Sequence, residues 1–159
     1  MPTRAQPQPA PEPTADTAPD LEVRPSTVHG LGAFVRRGVQ KGHVLGPYTG
    51  RRLSPAEVAR QDWNNALTYV FGLSDGSVID GAVGGNATRH INHSCAPNVQ
   101  AYEVEDEDGT ASVVIEAKRR LRAGEELFLD YALDIGEDNP ADYPCRCGSP
   151  KCRGTMAGG

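Results

Sequence analysis

The stretch Arg89-His90-Ile91-Asn92-His93-Ser94-Cys95-Ala96-Pro97-Asn98 places two histidines, a cysteine and two asparagines within ten residues. Three chemistries compete for it. It can hold a metal ligand, a nucleophilic thiolate beside its base, or buried polar residues satisfied by backbone groups. Which one applies depends on the other cysteines. The chain has four, and Cys145, Cys147 and Cys152 crowd into PCRCGSPKC. Paired disulfides fit poorly, because no export signal is present and a Cys-x-Cys pair rarely bridges to itself. A tetrahedral Zn²⁺ site needs four donors, and Gly148 and Pro150 let the chain turn tightly enough for Cys147 and Cys152 to face one ion. Cys95 is the thiolate left to complete the set. On that reading the metal staples the C-terminal segment onto the middle of the domain, and a catalytic Cys95 becomes the weaker alternative.

The 159 residues suit one domain with a small appendage. Eighteen glycines and 13 prolines argue for turns and short elements rather than long helices. A net charge of −5 speaks against direct nucleic-acid binding and suits a basic protein partner, although for charge alone ordinary solubility is the favoured account. No apolar run is long enough to span a membrane. Met1 to Asp20 is rich in Pro, Ala, Thr and Asp, carries no secretory h-region and reads as a disordered tail. Soluble intracellular residence, cytoplasmic or after delivery to a host cell, is expected.

Short strands are expected at Leu21–Val23, Ala33–Val35, Val44–Tyr48, Tyr69–Leu73, Ser77–Ile79, Val99–Val104, Val113–Ile115 and Leu127–Asp130. Ser54-Pro55-Ala56-Glu57 opens a helix, with a Ser cap, Pro at the first position and Glu three residues on. That helix is expected to end near Trp63-Asn64-Asn65. The absence of βαβ alternation excludes a doubly wound nucleotide fold. Gly30-Leu31-Gly32 alone is weak, offering only bare backbone to a ligand. Tyr131 alone reads as a core residue with a satisfied hydroxyl.

In order along the chain, however, these pieces resemble one family. His29-Gly30-Leu31-Gly32-Ala33-Phe34, Tyr48-Thr49-Gly50, Ile79-Asp80 with Gly85-Asn86, Arg89 to Asn98, Gly124-Glu125-Glu126-Leu127 to Asp130-Tyr131, and Cys145-Arg146-Cys147 with Cys152 follow the pattern of SET-domain protein lysine methyltransferases with a post-SET zinc knuckle. The resemblance runs from about Leu21 to Thr155. It implies a mainly β fold of short twisted sheets with few short helices. The Asn-His-Ser-Cys segment is then threaded beside the Asp-Tyr segment in a pseudoknot. It also implies a tail at 1–20, a SET domain at 21–135 and a zinc-binding segment at 136–159.

The activity so implied is methyl transfer from S-adenosylmethionine to a lysine amine of a protein, in a basic segment, with neither nucleic acid nor membrane as partner. Cofactor positions would be His29, Gly30, Leu31, Gly32, Tyr69, Arg89, His90, Asn92 and His93. Tyr131 would be catalytic, Tyr48, Leu129 and Tyr131 would line the substrate channel, and Cys95, Cys145, Cys147 and Cys152 would hold Zn²⁺. Three positions depart from the family pattern. Pro47 stands where an acidic residue is common, His90 where Phe or Tyr is usual, and Leu129 where Phe or Tyr governs how many methyls fit. Leucine has no hydroxyl to hold a water, so di- or trimethylation is expected to be tolerated. A zinc-stapled binding module with weak catalysis is the alternative to an active enzyme.

Overall fold

The computed structural model describes residues 18–26, 28, 30–60, 69–133 and 136–158. In chain order the strands are β1 (Leu21–Pro25), β2 (Leu31–Val35), β3 (Val44–Tyr48), β4 (Arg51–Leu53), β5 (Val70–Gly72), β6 (Val78–Asp80), β7 (Asn92–His93), β8 (Val99–Glu105), β9 (Ala111–Ala117) and β10 (Phe128–Leu129). One α-helix, α1 (Pro55–Arg60), and 3₁₀ turns at Ala87–His90 and Pro140–Asp142 complete the described elements. The mainly β expectation holds.

The strands form four small sheets: β1–β2, β3–β9–β8, β4–β6–β5 and the pair β7–β10. β9 shows why this sequence makes a strand. Val113, Ile115 and Ala117 point inward at period two, and their neighbours are half-buried. Its hairpin with β8 turns where Asp106 Oδ1 accepts from the backbone N–H of Asp108 at 3.0 Å and of Thr110 at 2.9 Å. The core gathers Leu45, Val99 and Ile115 from the β3–β9–β8 sheet, Ile79 from the β4–β6–β5 sheet, and Leu121 and Leu127 from two loops. Each sheet is too small to be stable alone, and one shared core holds them together.

In α1 the Ser54 hydroxyl accepts from the Glu57 N–H at 3.2 Å, as the capping pattern requires. The expected end of this helix near Trp63 lies outside the described residues. Among those residues no helix is long and apolar enough to cross a membrane.

β7 and β10 pair in parallel, Asn92 with Phe128 and Leu129 with His93. Asn98 locks this pair. Its amide donates to the Glu126 carbonyl at 2.8 Å, its Oδ1 accepts from the Phe128 N–H at 2.8 Å, and its own N–H donates to the Phe128 carbonyl at 3.1 Å. Asn98 is 4% exposed, so water cannot replace these bonds.

At the start of the described residues Ala18 is buried and Asp20 bonds into the domain. The Asp20 carboxylate takes hydrogen bonds from Arg37 Nε at 2.8 Å and Nη2 at 3.2 Å, and lies 3.0 Å from His43 Nε2. A Pro/Ala/Asp composition carries no burial signal, so the sequence pattern missed this anchor.

Asn98→Ala removes the side-chain partners of the Glu126 carbonyl and the Phe128 N–H and is expected to cost about 1–3 kcal/mol in urea unfolding. Hydrogen bonds from Arg37 and then His43 hold the Asp20 carboxyl below its ordinary 3.8. The native state therefore binds that proton less readily than the unfolded chain. Its stabilisation is complete above pH 3.8 and is lost as pH falls through the lower native value. Asp20→Asn is expected to flatten the acid limb of a stability–pH profile in that window and leave the neutral limb's slope unchanged.

Candidate active site

Two cavities meet in the middle of the molecule. The larger, about 740 Å³, is lined by Gly30, Leu31, Tyr69, Arg89, Asn92 and Tyr131 on one side and by the knuckle residues Cys145, Arg146, Cys147 and Met156 on the other. The smaller, about 500 Å³, is lined by Tyr48, Phe71, Ile91, Leu129, Tyr131 and Leu133, among others. Arg89 and Tyr131 line both.

Tyr131 sits where it does because three contacts converge. Its hydroxyl donates to the Ile91 carbonyl at 2.6 Å. Its backbone N–H donates to His93 Nδ1 at 3.0 Å. Its ring meets the His93 ring edge-on, with centroids 5.3 Å apart. Burial, followed by the neighbouring Tyr69, raises the Tyr131 phenol above its ordinary value, so it stays protonated at neutral pH. Tyr48 behaves alike. Its hydroxyl donates to the Tyr69 carbonyl at 2.6 Å, and burial raises its phenol as well. Two neutral phenols thus face a half-apolar channel, and neither serves as a strong base.

His93 borders the larger cavity, but its side chain is only 3% exposed. Because Nδ1 accepts the Tyr131 N–H, the proton resides on Nε2, which faces Cys95 Sγ at 3.5 Å. Asp130 Oδ1 lies 3.7 Å from Nδ1, yet a nitrogen that accepts carries no proton for an ion pair. Burial lowers the His93 pKa in agreement with a neutral ring. The ring therefore acts as a strut between Tyr131 and the cysteine cluster.

His90 lines the larger cavity, and its Nε2 accepts from Arg89 Nε at 3.1 Å. Burial and then the Arg89 charge keep this imidazole neutral by lowering its pKa. The departure at 90 thus gives Arg89 a hydrogen-bond acceptor that Phe would lack.

Gly30 to Gly32 divide their work. Gly30, at φ 51°, lines the larger cavity with bare backbone. Gly32 does not line it: a Cβ there would overlap the Glu126 carboxylate, which packs beneath β2. Asn92 Nδ2 donates to the Leu31 carbonyl at 3.0 Å and reaches Glu126 Oε1 at 3.5 Å. The buried Glu126 thus joins β2 to β7. It received no role in the sequence reading, where only a carboxylate followed by an apolar strand signalled it. His29 lies outside the described residues.

The four cysteine sulfurs lie within 4.8 Å of one another. Cys145 Sγ is 3.7 Å from both Cys95 and Cys152 Sγ. With Zn–S bonds of about 2.3 Å, the edge of a thiolate tetrahedron is about 3.8 Å, so the cluster fits one such ion. None of the four forms a disulfide. Burial pushes the Cys145 thiol up to about 12. Burial opposes ionisation of Cys147 too, but backbone groups of Cys95 and Ser149 outweigh it and bring that thiol down to about 6.

Around the cluster the C-terminal segment docks on residues just past Tyr131. Leu133 N–H donates to the Met156 carbonyl at 2.9 Å, and Gly158 N–H to the Leu133 carbonyl at 2.9 Å. Arg153 grips Asp130 with two bonds of 2.9 and 3.0 Å. Met156, four residues beyond the last cysteine, reaches the larger cavity and makes this short segment a wall of it.

The SET domain family matches residues 30–132. This chain belongs to the SET-domain family. The SET chain is 36% identical over 135 residues to "Histone-lysine N-methyltransferase trr" of Drosophila melanogaster, covering 82% of this chain and 6% of that protein. It is 36% identical over 132 residues to "Histone-lysine N-methyltransferase 2B" of Homo sapiens, covering 80% of this chain and 5% of that protein. It is 34% identical over 141 residues to "Histone-lysine N-methyltransferase, H3 lysine-4 specific" of Schizosaccharomyces pombe, covering 86% of this chain and 15% of that protein. The SET chain therefore spans a small fraction of the length of these relatives.

Gly32→Ala is expected to destabilise the domain by about 1–3 kcal/mol through overpacking against Glu126. Combining it with Glu126→Ala should recover part of that loss. Simple additivity in a double-mutant cycle of urea midpoints would refute direct contact.

Proposed function

We propose that this SET domain transfers a methyl group from S-adenosylmethionine to the side-chain amine of a lysine in a protein. The observation that carries this reading is the shared wall: one cavity sized for a donor and one apolar channel meet at Tyr131 and Arg89. The names of the relatives, all histone-lysine N-methyltransferases, support the same chemistry and favour a histone-like basic segment as substrate.

The lining suits the donor. Arg89 offers a guanidinium to its carboxylate, the Gly30–Leu31 backbone leaves room for its methionine part, and Tyr69, Asn92 and Met156 offer apolar and hydrogen-bonding flanks to its adenosine. When bound, S-adenosylmethionine supplies an electrophilic methyl on a positively charged sulfur. The chain's residues supply the rest.

A lysine amine, with a reference pKa of about 10.4, attacks only when neutral. The channel walls of Phe71, Val78, Ile91 and Leu129 disfavour its charged form, and its proton leaves to solvent before the amine is seated. Tyr131 donates its own proton to Ile91, which leaves phenol lone pairs to steady the polarised C–H and N–H groups of the reacting pair. With the donor bound, transfer would join the amine nitrogen to the methyl carbon with loss of the carbon–sulfur bond, and the residues at the shared wall would align the two. Leu129 is buried at the channel wall and carries no hydroxyl, so the channel has room for an amine that already bears a methyl. Zn²⁺ would be held by Cys95, Cys145, Cys147 and Cys152, where it fixes the knuckle wall of the donor cavity.

Peptide-array methyl transfer, including a histone H3 peptide around lysine 4, tests the reading. Tyr131→Phe is expected to lower kcat by about 10²-fold or more while calorimetric affinity for S-adenosylmethionine changes by less than about threefold. Absence of S-adenosylmethionine binding to the wild-type protein would refute the enzyme and leave a binding module. Elemental analysis is expected to find one zinc per chain. Cys95→Ser should lose it, and should also lower the melting temperature.

A further inference from the structure

The net charge of −5 is an average that conceals one basic face. Residues 36–42 (RRGVQKG) and 118–124 (KRRLRAG) together hold seven of the chain's 16 lysines and arginines and no carboxylate. The fold brings these two loops side by side. Val39 and Leu121 exchange two backbone hydrogen bonds of 3.0 Å each, Gly124 N–H donates to the Val35 carbonyl at 2.7 Å, and Gly42 N–H donates to the Ala117 carbonyl at 2.9 Å. Val39 and Leu121 point into the core, while Arg36, Arg37, Lys41, Lys118, Arg119, Arg120 and Arg122 are all exposed.

The carboxylates that reach this face come from its edges. Asp20 pairs with Arg37 and Glu125 pairs with Arg119 at 2.8 Å. Arg36 donates to the Leu21 carbonyl, which leaves its charge uncompensated. Arg36, Lys41, Lys118, Arg120 and Arg122 therefore form an uncompensated cationic ridge. None of the seven lines either cavity.

We infer that this ridge is a docking surface for the phosphate backbone of double-stranded nucleic acid, separate from the methyl-transfer site and independent of its activity. Three features favour that occupant over an acidic protein. The loops carry no exposed large apolar or aromatic side chain, so they lack the anchors around which protein interfaces build their affinity. They carry no aromatic ring on which a single strand's bases would stack. Five of the seven cations are arginines, whose forked donors match phosphate oxygens. Recognition by charge alone is sequence-independent and releases counterions.

The test is fluorescence anisotropy of the whole chain with a labelled DNA duplex of about two helical turns. For three to five phosphate contacts, log affinity is expected to fall against log salt with a slope between about −3 and −4.5. That corresponds to about 50- to 500-fold between 50 and 200 mM. Lys118→Gln/Arg120→Gln/Arg122→Gln should lower affinity at least about tenfold at low salt and flatten the slope. Arg51→Gln/Arg52→Gln/Arg60→Gln removes the same charge elsewhere and should change affinity by less than about threefold. Circular-dichroism melting of both variants checks that they fold. Three results would overturn the inference: no binding by the wild-type chain, equal loss in the two variants, or displacement of the duplex by poly-glutamate at equal charge concentration, which would assign the ridge to an acidic protein.

Discussion

The parallel contact of Asn92–His93 with Phe128–Leu129, sealed by Asn98, is the constraint on which this domain depends. It is only two residues long on each side, and its partners are far apart in sequence. Closing so long a loop for so few backbone bonds is entropically unfavourable. The deficit is offset by placing the bonds where water cannot compete and by giving one buried amide three of them. Once made, the contact sets Ile91, His93, Cys95 and Tyr131 at fixed spacing. The hydroxyl at 131 finds the carbonyl at 91, the ring at 93 finds the amide at 131, and the thiol at 95 reaches the knuckle.

The two cavities follow from that spacing. They share a wall because the residues around His93 and Tyr131 run side by side between them. The electrostatics of this wall bear on the proposed amine chemistry. Its phenols stay protonated, both imidazoles are held neutral, and the Arg89 guanidinium borders both spaces. Alignment and desolvation, rather than proton abstraction, are what such a wall can supply.

Much of this was legible in the residues. β3 was expected at Val44–Tyr48 and is found there, with a register irregularity between Val44 and Gly46. The Ser54 cap was equally plain, since its chemistry is local. The four thiols were gathered on donor arithmetic, and the fold does gather them. What could not be read was long-range. β4 at Arg51–Leu53 looks like a polar loop and becomes a strand only because β6 lies beside it. β7 is too short for any periodicity. Gly32 looked like a ligand-facing glycine, whereas the neighbour that requires it is Glu126, more than ninety positions away. Asp20 looked like tail, because an ion pair with Arg37 leaves no trace in hydrophobic pattern.

Apart from Arg89 and Tyr131 the two cavities have different walls, and on the proposed reaction this bears on processivity. Under that proposal a donor would be exchanged beside Met156 and Arg146, while a peptide would stay against Phe71 and Leu133. On the proposed reaction, successive rounds then need no release of the protein substrate.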